Sequence, residues 1–230
     1  MIQTRGTLDK DLKQIHDNIS LLGAMLEKAI RRSIQALQER DVELARQVIA
    51  EDVDINELRY ATEEQCLTVI ATQQPVAGDL RSIIAAMHIA VEIERMGDHA
   101  EGIAHLVIRM ADEPLLKPLI DIPKMADIAC EMLKASLDAF LTQKPKAAKK
   151  TAKKDDKIDQ LYDQVFRELL TYMIQDPRNI NRATYLLWVA HNLERIGDRA
   201  TNISERVVFM ATGKLKELGG SWDRDDPSLA

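Results

Sequence analysis

The phrase IERMGDHAEGIA at residues 93–104 returns as LERIGDRATNIS at 193–204, one hundred positions later and without a gap. Around it, Ala90, Glu94, Arg95, Gly97, Asp98, Ala100, Ile103, Met110 and Ala111 recur as the same residue types at 190, 194, 195, 197, 198, 200, 203, 210 and 211. Such an ungapped match points to a duplication, so whatever one half folds into, the other half folds into as well. Both copies lie in sequence whose apolar residues step by three or four, the period of a helix. The chain is therefore read as a pair of like helical units.

The steps can be followed along each half. Leu8, Leu12, Ile15, Ile19, Leu22, Leu26, Ile30, Ile34 and Leu37 describe one long amphipathic helix ending near Arg40. Asp41 is a candidate N-cap for a second helix through Leu44, Val48, Ile55, Leu58, Leu67 and Ile70, stopped by Pro75 and Gly78. A third helix is expected from Asp79 to Met110. The stretch ADEPLLKPLIDIP at 111–123 holds three prolines and is the natural boundary. Beyond it the pattern restarts with a helix through Met125, Leu133, Leu137 and Phe140, a second from Pro145 to Ile174, and a third from Asn181 to Met210. The expected fold is all-α, a tandem repeat of two elongated three-helix bundles with six long helices. Its parts are 1–112, 119–213 and a disordered tail at 214–230.

Bulk properties narrow the partners. The chain has 37 acidic and 31 basic residues, a net charge of −6, which offers no general attraction for nucleic acid. It contains no apolar run near the roughly 20 residues needed to span a bilayer, and its N-terminus MIQTRGTLDKDLK lacks a signal-peptide segment. A cytoplasmic protein is expected. Cys66 and Cys130 are far apart among helix formers and read as reduced core residues.

The doubled phrase carries the chemistry. On a wheel at about 100° per residue, Glu94 falls in the same arc as Ile83, Ala86, Ala90, Ile93, Gly97 and Ala104, with Asp98 at its edge. Glu194 and Asp198 repeat this among Leu186, Leu193 and Val208. Carboxylates four residues apart repel by about 0.2–0.5 kcal/mol, and burial adds to that cost. Gly97 and Gly197 each cost roughly 1 kcal/mol inside a helix. Ala90, Gly97 and Ala104, like Ala190, Gly197 and Ser204, form a small-residue seam that lets a neighbouring helix approach closely.

Second helices supply matching donors. Asp155 and Asp159 in the second copy, and Asp52 and Asn56 in the first, flank the equivalent residues Ile158 and Ile55 at the same four-residue spacing. Two readings stay open: the acids are solvated and paired with Arg95 and Arg195, or facing pairs converge four oxygen donors on a cation. Oxygen ligands suit iron, manganese, magnesium or zinc without choosing among them.

The combination of QQPVAGDLR at 73–81, ERMGDHAEGIA at 94–104 and ERIGDRATNISE at 194–205 resembles the PhoU family of phosphate-transport regulators, over essentially residues 7–212. The resemblance implies a cytoplasmic, tandem three-helix-bundle protein whose paired carboxylate motifs hold iron or zinc clusters. It also implies a negative regulator of phosphate uptake that links the ATPase subunit of a phosphate ABC transporter to a sensor histidine kinase. Membrane association is expected only through those partners, and a homodimer is expected. Carried over by motif, the ligand candidates are Asp52, Asn56, Glu94 and Asp98, then Asp155, Asp159, Glu194 and Asp198. Asn56 departs from the acidic form, and Gly102 stands where the second copy has Asn202, so the two sites are expected to differ.

Other features weigh less. Lysines 144, 146, 149, 150, 153, 154 and 157 form a basic run, read as a solvated helix start or a contact for anionic headgroups or an acidic partner. His88 and His99 fall on the outer side of the wheel, and His105 is a weak ligand candidate. There is no Glu-X-X-His signature, phosphate-cradling glycine loop or nucleophile motif, so no catalytic residues are assigned. The alternative function is a metal-dependent hydrolase or oxidase using the carboxylates, and the plainest is a structural scaffold.

Overall fold

A computed structural model describes residues 2–218, with side chains from residue 6. Its regular elements are all helices, with no strand among the described residues. The helices are α1 (Ile2–Glu39), α2 (Val42–Gln73), α3 (Ala77–Arg109), α4 (Asp121–Leu141), α5 (Pro145–Ala152), α6 (Asp155–Gln175) and α7 (Ile180–Thr212), with a short 3-10 turn at Pro177–Asn179 before α7. None of these helices is long and apolar enough to cross a membrane.

The first bundle follows its sequence closely. Leu8, Ile15, Ile19, Leu22, Leu26, Ile30, Ile34 and Leu37 are all buried on one side of α1. Arg40 takes a left-handed conformation, and the Asp41 carboxylate then accepts the Leu44 N–H at 2.9 Å to cap α2. The small-residue seam of α3 is buried: Ala90 and Ala104 have no exposed surface, and Gly97 is buried beside them. Cys66 and Cys130 are free and buried, and burial pushes both thiols up to about 12.

The second bundle differs at one point. The helix expected from 145 to 174 is two helices, α5 and α6, joined by a turn at Lys153 and Lys154 where Lys154 N–H bonds Thr151 O at 2.9 Å and Lys157 N–H bonds Lys154 O at 3.0 Å. Charge placement explains the break. Lys149 and Lys150 lie in the last turn of α5, and Asp155 and Asp156 lie in the first turn of α6. Cations are favoured at a helix C-terminus and anions at an N-terminus, so this pattern stabilises two helix ends and disfavours one continuous helix. Like charges at Lys149 and Lys153, and at Lys150 and Lys154, add repulsion across the turn.

The bundles are not separate bodies. Helices α3 and α7 lie side by side, α1 also packs on α4, and the buried apolar residues form one continuous core. Arg81 Nε donates to Met210 O at 3.1 Å, Arg199 Nη1 pairs with Glu92 at 3.2 Å, and His99 Nδ1 meets Asn192 Oδ1 at 2.9 Å. These pairings run in opposite directions along the two helices, so α3 and α7 are antiparallel. Position 92 faces 199 and 202, and the repeat-equivalent position 192 faces 99 and 102, which is the signature of a pseudo-twofold relation between the copies. The Gly102 and Asn202 difference belongs to this interface. Asn202 Nδ2 donates to Glu92 at 3.2 Å, and a Cβ on Gly102 would lie 3.3 Å from Asn192 Oδ1.

The linker at 110–120 is irregular, with Lys117 buried against Glu168. Of the tail expected to be disordered, residues 214–218 form no helix, yet Leu218 N–H donates to Glu205 Oε1 at 2.8 Å and its side chain packs on the core. Residues 219–230 lie outside the described residues.

Candidate functional site

The glycine inside each doubled phrase makes room for an acid. A Cβ on Gly97 would lie 3.0 Å from Asp52 Oδ1, and one on Gly197 would lie 2.8 Å from Asp155 Oδ1. The equivalent isoleucines, Ile55 and Ile158, pack against the same two glycines. Each second helix therefore presses an aspartate onto its third helix where that helix has no side chain. Close packing and the acid pairs, two separate readings of the sequence, are one feature.

In the first bundle, carboxylate oxygens of Asp52, Asp98 and Glu101 lie within 4.8 Å of one another. Among the described residues this is the one such set of three acidic, His or Cys side chains. Asp52 is half-buried and is raised to about 6, first by burial, then by the charges of Glu101 and Asp98, while the Asn56 amide opposes the shift by donating at 2.7 Å. Two of the expected ligands have protein neighbours of their own. Asn56 holds Asp52 rather than facing the cluster alone, and Glu94 Oε1 turns toward Arg59, 4.0 Å from Nη2. Arg59 is in turn tied to Glu63 at 2.8 Å. Glu94 is still raised by burial and by Asp98, against the pull of Arg59 and Arg95.

Glu101 is the residue that sequence reasoning missed. It lies three residues after Asp98, so it shares the face one turn on, but its repeat equivalent is Thr201 and the internal match gives no hint of it. The structure gives both the same neighbour: Thr201 Oγ1 donates to Asp155 Oδ2 at 3.2 Å. His105 lies 3.3 Å from Glu101, whereas His99 belongs to the interface between the copies.

In the second bundle Asp155 is only 9 % exposed, and Asp155 Oδ1 is buried with no hydrogen bond. Burial, followed by Asp198 and Asp159, raises Asp155 to about 7 despite the Thr201 hydrogen bond. Glu194 Oε2 is likewise buried without a hydrogen bond. Its basic neighbours, His191 Nδ1 at 3.4 Å and Arg195 Nε at 3.5 Å, stand beside it without a hydrogen bond. Burial and Asp198 raise Glu194 to about 7, with Arg195 opposing. Asp159 is raised by burial and then Asp198. The arginine pairing expected of solvated acids is present in part, since Arg195 Nη1 binds Asp198 at 3.0 Å. It leaves Asp155 unneutralised.

Both clusters open to clefts. A cavity of 230 Å³ beside Asp52 is lined by Met25, Lys28, Glu51, Gly97 and Glu101, and one of 380 Å³ beside Asp155 by Arg195, Asp198, Arg199, Asn202 and Glu217. The donors are oxygens held by helices, two of them buried without a hydrogen bond, an arrangement that suits a hard or borderline cation.

The PhoU domain matches this chain twice, over residues 19–107 and 122–207. The chain belongs to the PhoU family. It is 38% identical over 222 residues to the phosphate-specific transport system accessory protein PhoU homolog of Rhizobium meliloti (strain 1021), covering 96% of this chain and 93% of the relative. It is 41% identical over 208 residues to the protein of that description from Aquifex aeolicus, covering 90% and 94%. The crystal structure of PhoU from Pseudomonas aeruginosa superposes with a TM-score of 0.85 at 32% identity, covering 90% of this chain and 99% of that one. The phosphate transport system regulatory protein PhoU from Streptococcus pneumoniae superposes with a TM-score of 0.86 at 31% identity, covering 92% and 100%. The two domain matches coincide with the two bundles, and each contains one copy of the doubled Glu-Arg-X-Gly-Asp phrase.

Proposed function

We propose that this protein is a negative regulator of phosphate uptake and phosphate-starvation signalling, acting as a metal-binding cytoplasmic adaptor between a phosphate ABC transporter and a sensor histidine kinase. Family membership supports the phosphate-transport part, because its relatives are named as accessory and regulatory proteins of phosphate transport. Those names describe no catalyst, which favours an adaptor over a hydrolase or oxidase. In this reading the ATPase subunit of the transporter and the kinase are the partners, and the chain pairs with a second copy of itself.

One observation carries the metal part: the buried oxygens of Asp155 and Glu194 that lack a hydrogen bond, among acids raised by burial and by one another. Asp155, Asp159, Glu194 and Asp198 would hold a cation in the second bundle, and Asp52, Asp98 and Glu101 in the first. Iron, zinc, manganese and magnesium all suit such donors. A bound cation supplies positive charge that offsets the repulsion and joins the second helix of each bundle to the third.

The regulatory reading is tested by deleting the gene and measuring phosphate-starvation transcripts in high phosphate. Derepression is expected, and unchanged transcripts overturn it. Metal binding is tested separately by elemental analysis of protein purified without chelator, with Glu194→Gln and Glu194→Leu as companions. Glu194→Gln is expected to lower metal content with helicity intact. Glu194→Leu is expected to lower the melting temperature by removing a stabilising ligand. A metal-free parent together with a more stable Leu variant sinks the metal reading.

A further inference from the structure

The lysine run opens a second theme, unrelated to the carboxylates. Between Asp138 and Asp155 the chain has six lysines and no acidic residue, in a protein of net charge −6. Helix α5 orders this run. It is held to the fold by Ala148, Thr151 and Ala152, all buried, and packs on α4 and α7. At about 100° per residue, Lys146, Lys149, Lys150 and Lys153 fall within about 100° of arc on the opposite side. All four are exposed, and none makes an ion pair among the described residues. Lys154, just beyond, is the one that pairs with an acid, Glu131 at 2.9 Å.

We propose that this lysine face of α5 docks directly on an anionic lipid bilayer, beyond the reading above in which partners alone bring the protein to the membrane. The residue types decide the occupant. The run contains lysine only, with no arginine, aromatic or amide side chain between positions 144 and 157. Lysines are flexible, strongly hydrated point charges, whereas directed recognition of carboxylates or bases uses the planar fork of arginine, amides or stacking rings. Four such charges spread over about 10 Å of helix match a plane of headgroup phosphates. Ala147 is the only exposed apolar residue of the helix, so the contact is electrostatic and does not insert. Nucleic acid fits less well, because no aromatic or arginine side chain stands among the lysines to stack on bases.

The test is flotation of the purified full chain with vesicles of phosphatidylcholine, alone or mixed with phosphatidylglycerol. Binding to the mixed vesicles only is expected, with release as salt is raised. Exchanging Lys146, Lys149, Lys150 and Lys153 together for Gln is expected to weaken binding by about fivefold per lysine, roughly six hundredfold in all. Exchanging them for Arg is expected to preserve it. Exchanging the exposed Lys10, Lys13, Lys214 and Lys216 for Gln removes the same charge elsewhere and is expected to leave binding in place. Circular dichroism checks that each variant is folded. The proposal is overturned if the parent ignores the mixed vesicles, if the α5 Gln variant binds like the parent, or if both Gln sets lose binding equally. Capture of duplex DNA that the mixed vesicles do not displace overturns it in favour of nucleic acid.

Discussion

A methyl group on Gly197 would sit 2.8 Å from Asp155 Oδ1 and 2.8 Å from Ile158 Cδ1. Helix α7 therefore carries no Cβ at the point where α6 presses a buried carboxylate against it. The same relation between Gly97 and Asp52 is looser, at 3.0 Å, with Ile55 no nearer than 3.6 Å.

Three alanine substitutions separate space from helix propensity. Gly197→Ala is expected to destabilise by about 1–2 kcal/mol, because overpacking outweighs the gain in propensity. Gly97→Ala is expected to be close to neutral, since the contact is softer. Gly78→Ala, which meets nothing within 4 Å, is expected to stabilise by about 0.5–1 kcal/mol. Urea unfolding of the three variants gives the order, and a Gly197→Ala protein more stable than the parent contradicts the packing argument.

Stability of the metal-free protein is expected to fall as pH rises. Burial and the neighbouring acids hold Asp155 at about 7, against an ordinary value of 3.8. The folded chain thus binds more protons than the unfolded chain between those values. The stability that this group contributes is full below about 4 and is lost progressively toward about 7, by a few kcal/mol. Glu194 acts in the same direction. Unfolding in chelator across that range measures the slope, and Asp155→Asn is expected to flatten it.

Glu101 and Glu94 give a direct comparison in the first bundle. Glu101→Gln is expected to reduce manganese affinity by at least roughly tenfold, since loss of a residue that only supports a ligand already costs about 10–100-fold. Glu94→Gln, at a residue turned toward Arg59, is expected to have a smaller effect. Titration calorimetry on both variants decides the order, and an equal or reversed effect returns Glu94 to the ligand set.

The contact between the copies is expected to matter for stability. Glu92→Ala leaves Arg199 and Asn202, both partly buried, without their shared acceptor, at a cost of about 1–2 kcal/mol. A double-mutant cycle with Arg199→Ala is expected to show coupling above about 0.5 kcal/mol. Additive effects place the pair outside the interface energetics.

Much of this protein is written in local patterns. The three- and four-residue steps of apolar residues determine the helices, because a helix must bury one stripe, and Asp41 and the prolines mark ends that a helix cannot continue through. The hundred-residue repeat determines that there are two bundles, and the doubled Glu-Arg-X-Gly-Asp phrase marks the third helices as the place where acids meet a buried face. Even the break between α5 and α6 is present as lysines followed by aspartates, although apolar periodicity alone runs straight through it.

What the tertiary structure decided is which side chains meet. Glu101 joins Asp52 and Asp98 while Glu94 goes to Arg59, a choice between residues on neighbouring parts of one helix that depends on how α2 is rotated and placed against α3. The antiparallel union of α3 with α7 through Glu92, Arg199, His99 and Asn192 joins residues about a hundred positions apart. Helical periodicity names the face that each residue occupies, but not the partner across it. The partner is set when side chains interlock over the whole length of two helices, and only the folded chain holds that information.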